Sequence, residues 1–579
     1  MVEVQTTGGV GAGLTLTNII FDDAGKKEGT VFAQAVSDGS VGAASNDNLV
    51  YVQDAIIASN ATVTTTITLG DGAVLRNFGG MSAVRATGEA KLVMEPGSVI
   101  EDASSITRSK GDAGSVGPAG AVWLQGSDFE MENGAEIKNV NGRAVYADGG
   151  SVSVGGTISG IIGNPAMWQG KDGTAIHLRG SAKATLNGKI SDCTEGVLVF
   201  VDKAVFEMAT GSFLGNSDAA GIKTNEDPTW SLVNKDDYGT DRNTITIHGE
   251  ISGIKNNKTP IQFKFGTLLI GADSNIHHNS VFYGTLYIQR DAIVDIYGKI
   301  NNNDASSRGG GVATAGHGEV VINMYEGAEV KGNTAVKNGG GIMISSNTSF
   351  TMYGGEISGN VSQTVGGGIY QYKNNSKVEL QGGTIRDNTM NATDVKDSST
   401  GTENDITISN QGNGSSNHYL YISQNTELDN QNVYFQINST TVTPAENSLD
   451  IKLGNASKES VTALSGKADA NGWNAPLATF WAQRDGAAEL TVGGLTFNKA
   501  LPVYALVQET GADGKPVSGA EVRVYSTKIT DDGIRLTLPN GYTNGCAVAL
   551  AQPTTDFGSV GISGPTEIAK TSDAAPYEV

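Results

Sequence analysis

The stretch from Gly309 to Asn388 is written three times over, and that repetition constrains the chain more than any other feature. Stacked one above the other, the copies read GGGVATAGHGEVVINMYEGAEVKGN, GGGIMISSNTSFTMYGGEISGN and GGGIYQYKNNSKVELQGGTIRDN. Each has a glycine triplet, a short apolar strand, a polar turn and a second strand. Glycine then leads to Ile or Val, with Asn three residues later. A unit this short cannot bury its own apolar face, so it gains stability only by stacking on its neighbours.

The spacing selects the kind of rung. The triplets start at Gly309, Gly339 and Gly366, intervals of 30 and 27 residues, and no 3.6-residue apolar pattern fills them. In the second strand Phe350 and Met352 flank Thr351, and Val378 and Leu380 flank Glu379. That two-residue period is a strand with one buried face. Three short strands joined by Gly- and Asn-rich turns predict an all-β chain built as a right-handed parallel β-helix, a solenoid. Anchored on the last apolar residue of each glycine-led motif, the copies fall at Leu75, Ile100, Ile137, Ile158, Ile190, Leu214, Ile251, Ile276, Ile300, Val330, Ile357 and Ile385.

Asn279, Asn303, Asn333, Asn360 and Asn388 each lie three residues after an anchor. Asn accepts the left-handed backbone that a tight turn needs, and amides stacked in register can bond along the axis. These five are therefore expected to be inward-pointing, left-handed and joined as a structural ladder. Earlier copies place Val140, Ile161, Cys193 and Ile254 there, which favours a structural over a ligand-binding role.

The intervals between anchors run from 21 to 37 residues, and what exceeds a minimal coil must leave as loops. Surplus falls near SKGDAGSVGPAG, near GNPAMWQGKDG and in TNEDPTWSLVNKDDYGTDRN. The last sets Trp230 and Tyr238 among Glu226, Asp227, Asp236, Asp237 and Asp241. Loops on a rigid scaffold often carry function. This group suits stacking on a sugar ring or anchoring a protein partner, and equally suits a tryptophan folded back over a solvated acidic loop.

Four regions follow: an N-terminal cap with first rungs over 1–70, β-helix repeats over 71–390, irregular last rungs over 391–440, and a C-terminal β-rich region over 441–579. Within the third, NATDVKDSSTGTEND reads as polar and mobile. In the fourth the glycine-led motif gives way to alternating strands such as AELTVGGLTFN and AEVRVYS.

The glycine-triplet repeats with a downstream I/V-x-x-N resemble those of the polymorphic outer-membrane proteins of chlamydiae and of β-helix surface proteins of gut bacteria. That resemblance implies a right-handed parallel β-helix on a bacterial surface, used in adhesion. GKPVSGAEVRVYS with DDGIRLTLPNGY is similar to the transthyretin-like or collagen-adhesin B-type sandwiches of surface proteins, which implies a β-sandwich-like C-terminal region.

Charge and composition narrow the function further. With 39 basic against 61 acidic residues the formal net charge is -22, which makes the chain a poor partner for nucleic acid or an anionic bilayer. No run of about 18 apolar residues occurs, so no direct membrane span is expected. The sequence opens without the basic and apolar segments of a signal peptide. The resemblance to Gly-, Asn- and Thr-rich surface solenoids nonetheless implies an exported, cell-surface protein whose leader and anchor lie outside this sequence.

Parallel β-helices also host polysaccharide lyases and glycoside hydrolases, so the fold alone does not decide against catalysis. An inverting hydrolase needs two carboxylates about 6.5–9.5 Å apart. The pairs Asp22 with Asp23, Asp236 with Asp237 and Asp531 with Asp532 sit in turns, without the motifs of the galacturonases. The vicinal His277 and His278 are expected to point to opposite faces of a strand, which argues against joint metal ligation. No catalytic residue, metal site or cofactor is therefore expected. The chain reads as an adhesin presenting loops to a host protein or glycan, with a polysaccharide enzyme and a structural stalk as the rivals.

Overall fold

In the computed structural model the described residues are 2–5, 13–22, 56–78, 82–103, 120–163, 173–224, 242–316, 318–372, 376–409 and a series of strands between 416 and 551. The chain is all-β, with large parallel sheets consistent with a parallel β-helix. It divides into two compact units, residues 1–280 and 281–579, each taken by itself below.

In the first unit the copies contribute a first, a second and a third strand, the first two running on as one long strand in Ile56–Leu69 and Val84–Met94, and each pairs in parallel with its counterpart in the next copy. The first strands include Val122–Gln125, Arg143–Asp148, Thr174–Arg179, Val197–Asp202 and Ala220–Thr224. The second strands include Asp128–Met131, Ser151–Val154, Lys183–Leu186, Val205–Met208 and Asn243–Ile247. In the third strand the anchors Leu75, Ile100, Ile137, Ile158, Ile190, Leu214, Ile251 and Ile276 stand directly above one another. Phe21 joins the row ahead of Leu75.

From Leu75 onward these anchors are fully buried. Each such side chain stabilises the fold by about 1.5–3 kcal/mol on leaving water, and the apolar surface that removes it from water belongs to the adjoining copies. Two expected loops, near residues 109–120 and 163–173, fall mostly on 104–119 and 164–172, outside the described residues.

The second unit repeats the plan. Ile300, Val330, Ile357 and Ile385 stand in register, and Leu428 continues the row. The second strands Val320–Met324, Thr348–Met352 and Ser376–Leu380 pair in parallel, with Phe350, Met352, Val378 and Leu380 fully buried and Thr351 and Glu379 turned outward. A short extra strand follows the third strands of Ile300, Val330, Ile357 and Ile385: Asp304–Arg308, Thr334–Ala335, Val361–Ser362 and Thr389–Met390.

Parallel pairing persists as far as Ser460–Gly466, which lies beside Asn432–Gln436. Beyond it the described pairings are antiparallel, as in Val503–Glu509 between Val522–Thr527 and Cys546–Ala551.

The glycine triplet has a steric origin. Gly309, Gly339 and Gly366 have φ of 65°, 70° and 73°, a left-handed backbone in which a Cβ costs free energy. At the middle position the neighbouring copy is too close: a Cβ on Gly340 would lie 2.6 Å from the Val361 nitrogen, and one on Gly367 2.5 Å from the Thr389 nitrogen.

The ladder asparagines are buried, but the left-handed residue is the one before them. Asn77, Asp102, Asn139, Gly160, Asp192, Asn216, Gly253 and His278 in the first unit all have positive φ, as do Asn302, Gly332, Gly359 and Asp387 in the second. Each stands two residues after its anchor. The expectation of left-handed backbone at Asn303 and its equivalents is thereby corrected, and the reason is directional. Asn302 turns the corner with its side chain exposed, and the next residue, Asn303, then points inward.

The segment 391–405 is also more structured than its polar composition suggests. Asp397 caps the 3-10 turn Ser398–Thr400 by accepting the Ser399 N–H at 3.0 Å, Lys396 pairs with Asp304, and the segment ends on the buried Asn404 and Asp405.

Candidate functional site

The asparagines of the second unit form a continuous hydrogen-bonded column. The Asn303 amide donates to Asn333 Oδ1 at 2.9 Å, Asn333 to Asn360 Oδ1 at 3.1 Å, and Asn360 to Asn388 Oδ1 at 2.9 Å. Asn388 in turn donates to Asp405 Oδ1 at 3.0 Å. The second amide hydrogen goes back along the column. Asn333, Asn360 and Asn388 donate to the carbonyls of Ile300, Val330 and Ile357 at 2.8, 2.9 and 2.9 Å. Each oxygen from Asn333 to Asn388 also accepts the backbone N–H of the preceding asparagine. All four hydrogen-bonding positions of Asn333 and of Asn360 are thus used, as a buried amide requires.

In the first unit Asn279 has the same geometry, accepting from the Ile254 N–H at 3.0 Å and donating to the Ile251 carbonyl at 3.3 Å. Ser217, the equivalent residue in the Leu214 copy, is a shorter substitute. It accepts the Cys193 N–H at 3.1 Å and donates to the Gly215 carbonyl at 2.7 Å. At Asn333 and Asn360 the column is a scaffold with no hydrogen-bonding capacity left for a ligand.

Glu226, Asp227, Trp230, Asp236, Asp237, Tyr238 and Asp241 lie outside the described residues. The two ends of their segment are described, and both are fixed to one residue. Thr224 Oγ1 accepts the Lys264 N–H at 2.7 Å, and the Asn243 amide donates to the Lys264 carbonyl at 3.1 Å. Thr224, the last residue of a first strand, and Asn243, the first of a second strand, are both buried, so the described chain on either side of 225–241 is pinned at one place.

Among the described residues the most distinctive outward feature is a row of tyrosines on the second unit. Tyr297, Tyr325 and Tyr353 each come one residue after a second strand, and the parallel register of Ile296, Met324 and Met352 sets them above one another. Tyr297 and Tyr325 stack with centroids 4.3 Å apart and planes 3° apart, and Tyr325 and Tyr353 with 5.4 Å and 19°. Stacked aromatic pairs contribute about 0.5–1.5 kcal/mol each beyond burial. The row still faces solvent, with Tyr297 36% and Tyr353 53% exposed.

Beside the rings runs a polar row from the strands themselves. Asn323 donates to Asp295 Oδ1 at 2.8 Å, and the Tyr325 hydroxyl donates to the same oxygen at 3.2 Å. Desolvation of the central ring and then the Asp295 charge push the Tyr325 phenol up to about 12, so it stays a neutral donor at physiological pH. Ile293, 43% exposed, lies on the same outward side of the strand as Asp295. The result is an aromatic edge flanked by carboxylate, amide and hydroxyl groups, able to bind a partner by contact and hydrogen bonding.

The sequence carried a signal for this row: IYGK, MYEG and MYGG place the three tyrosines at a constant interval of 28 residues. Among the described residues no group of three or more His, Cys, Asp and Glu side chains is disposed to hold a metal ion, and no helix is long and apolar enough to cross a membrane. The chain matches no family of known sequences and no curated protein at a significant level.

Proposed function

We propose that this chain is a binding protein of a bacterial cell surface, an adhesin, that engages a host protein or glycan and performs no chemistry on it. In this reading the parallel sheets wind as a right-handed β-helix, the C-terminal strands form a β-sandwich-like region, and the protein is exported. The observation that carries the reading is the Tyr297, Tyr325 and Tyr353 row with Asp295 and Asn323 at its side. Because the rings stack on one another, the row offers a sugar chain aromatic edges and phenol hydroxyls, and the adjoining carboxylate and amide meet its hydroxyl groups. Recognition of a glycan is therefore favoured over that of a protein. The parallel register of the strands that end beside the tyrosines supports it by fixing their spacing, which lowers the entropy lost on binding.

The segment 225–241, with Trp230 and Tyr238, is the second contact in this reading, presented from its pinned base at Thr224 and Asn243. Binding of the purified chain to immobilised glycans, mucins and matrix proteins tests the proposal, with Tyr325→Ala/Tyr353→Ala and an excision of 225–241 as the variants. Saturable binding lost in either variant supports an adhesin and locates its contact. Turnover of a polysaccharide would replace it with an enzyme, and absence of any binding with a structural stalk.

A further inference from the structure

The vicinal histidines of the first unit do not diverge as residues of a regular strand do. His277 is the last residue of the strand Asn275–His277, whereas His278 is the left-handed corner residue, with φ of 52°. Strand alternation stops there, and the two rings turn toward one another with Nδ1 atoms 2.6 Å apart and planes at 84°. The far side of the first ring is held as well, with His277 Nε2 lying 3.2 Å from Glu250 Oε1.

We propose that His277 and His278 form a bidentate site for a divalent d-block cation, with both Nδ1 atoms as ligands and Glu250 as the group that orients His277. The assignment of protons follows from the contacts. When the Nε2 that faces Glu250 carries the single ring proton of His277, Nδ1 keeps a lone pair, and His278 Nδ1–H donates to it. A cation takes that hydrogen's place when His278 moves its proton to Nε2, a change of tautomer that releases no proton. Two imidazole nitrogens at about 2.0–2.1 Å from one ion stand roughly 2.9–3.3 Å apart, so an ion enters when the two nitrogens, 2.6 Å apart here, separate and the exposed His278 ring rotates to turn its lone pair from His277 toward the ion.

Two further features point the same way. A carboxylate on the remote ring nitrogen is the usual support of a metal-bound histidine. The backbone under the pair is also fixed, because Ile276 is in register with Ile251 and the Asn279 side chain bonds to Ile254 and Ile251. His278 is exposed and His277 half-buried, so an ion has access and water completes its coordination. Imidazole pairs suit copper and zinc, copper binding the tighter of the two. This inference does not depend on the adhesin reading.

The test is titration of the full chain with CuCl2 and with ZnCl2 by calorimetry, together with electron paramagnetic resonance of the copper form. His277→Gln, His278→Asn and Glu250→Gln are the variants, Asn being chosen because it accepts the left-handed backbone. The expected result is one tight copper equivalent showing coupling to two nitrogens. Affinity should fall at least tenfold in either histidine variant, with coupling reduced to one nitrogen, and about 10–100-fold in Glu250→Gln. Unchanged circular dichroism and thermal transitions would show that the variants fold. The proposal is overturned if no tight equivalent binds, or if a folded histidine variant keeps wild-type affinity and two-nitrogen coupling.

Discussion

Asn333 reaches Asn360 twice through one atom: its side-chain amide donates to Asn360 Oδ1 at 3.1 Å, and its backbone N–H donates to the same oxygen at 2.9 Å. An amide that accepts two bonds from the copy before it and gives one each way along the column cannot be removed without orphaning its neighbours. In Asn333→Ala the Asn303 amide and backbone N–H lose their acceptor and the Ile300 carbonyl loses a donor. Each buried group left unsatisfied costs about 1–3 kcal/mol. Chemical denaturation of Asn333→Ala should show a loss at the upper end of that range or beyond, and an unchanged midpoint would contradict the column.

The residue one position earlier should behave in the opposite way. Asn302 has φ of 53° and an exposed side chain, so backbone conformation is its main requirement. Asn302→Gly should leave stability within a few tenths of a kcal/mol, whereas Asn302→Val should cost about 1–2 kcal/mol. Equal melting temperatures for the two variants would show that the corner is not under this constraint.

The glycine triplet makes a steric prediction of its own. A Cβ on Gly340 meets the backbone of Val361 at 2.6 Å and of Gly367 at 2.7 Å, whereas one on Gly327, with φ of 84°, meets nothing within 4 Å. Gly327→Ala should cost about 1–2 kcal/mol through backbone strain alone. Gly340→Ala should lower the thermal midpoint further, because two copies must move apart.

Alkaline pH should weaken the fold in a defined window. Desolvation first, then the Asp295 charge, raise the Tyr325 phenol from 10.0 to about 12, and burial raises the Cys193 thiol from 9.0 to about 12. Both groups hold their protons more tightly when folded, so their contribution is complete below pH 9 and is lost as the pH rises to about 12. Urea midpoints should fall across that interval, and less steeply above pH 10 in Tyr325→Phe. The Cys193 thiol should also resist iodoacetamide at neutral pH until the chain unfolds, because only the thiolate reacts.

The anchor row was legible because a two-residue apolar period ending in Gly-x-Ile or its variants marks the same place in every copy, from Leu75 to Ile385. The left-handed corner was not, since Asn, Asp, His and Gly all serve there, and only Asn at the next position is conspicuous in the late copies. His277 and His278 misled for the same reason: alternation holds within a strand and fails at a residue with φ of 52°. Composition also misjudged residues 391–405, whose Asn404 and Asp405 are buried because the Asn388 main chain and side chain bond to them. The tyrosine row was written in the sequence, but one residue per copy becomes a surface only when the register is known.

The most direct test of the binding account is surface plasmon resonance of the purified chain against an immobilised glycan array, with Tyr325→Ala/Tyr353→Ala measured in parallel. The account expects saturable binding to at least one glycan and a loss of at least tenfold in affinity in the double variant, with circular dichroism unchanged and the thermal midpoint lowered only by the loss of two stacked pairs, about 1–3 kcal/mol. Binding that is identical in the two proteins would contradict the tyrosine row as the site, and silence across the array would contradict glycan recognition itself.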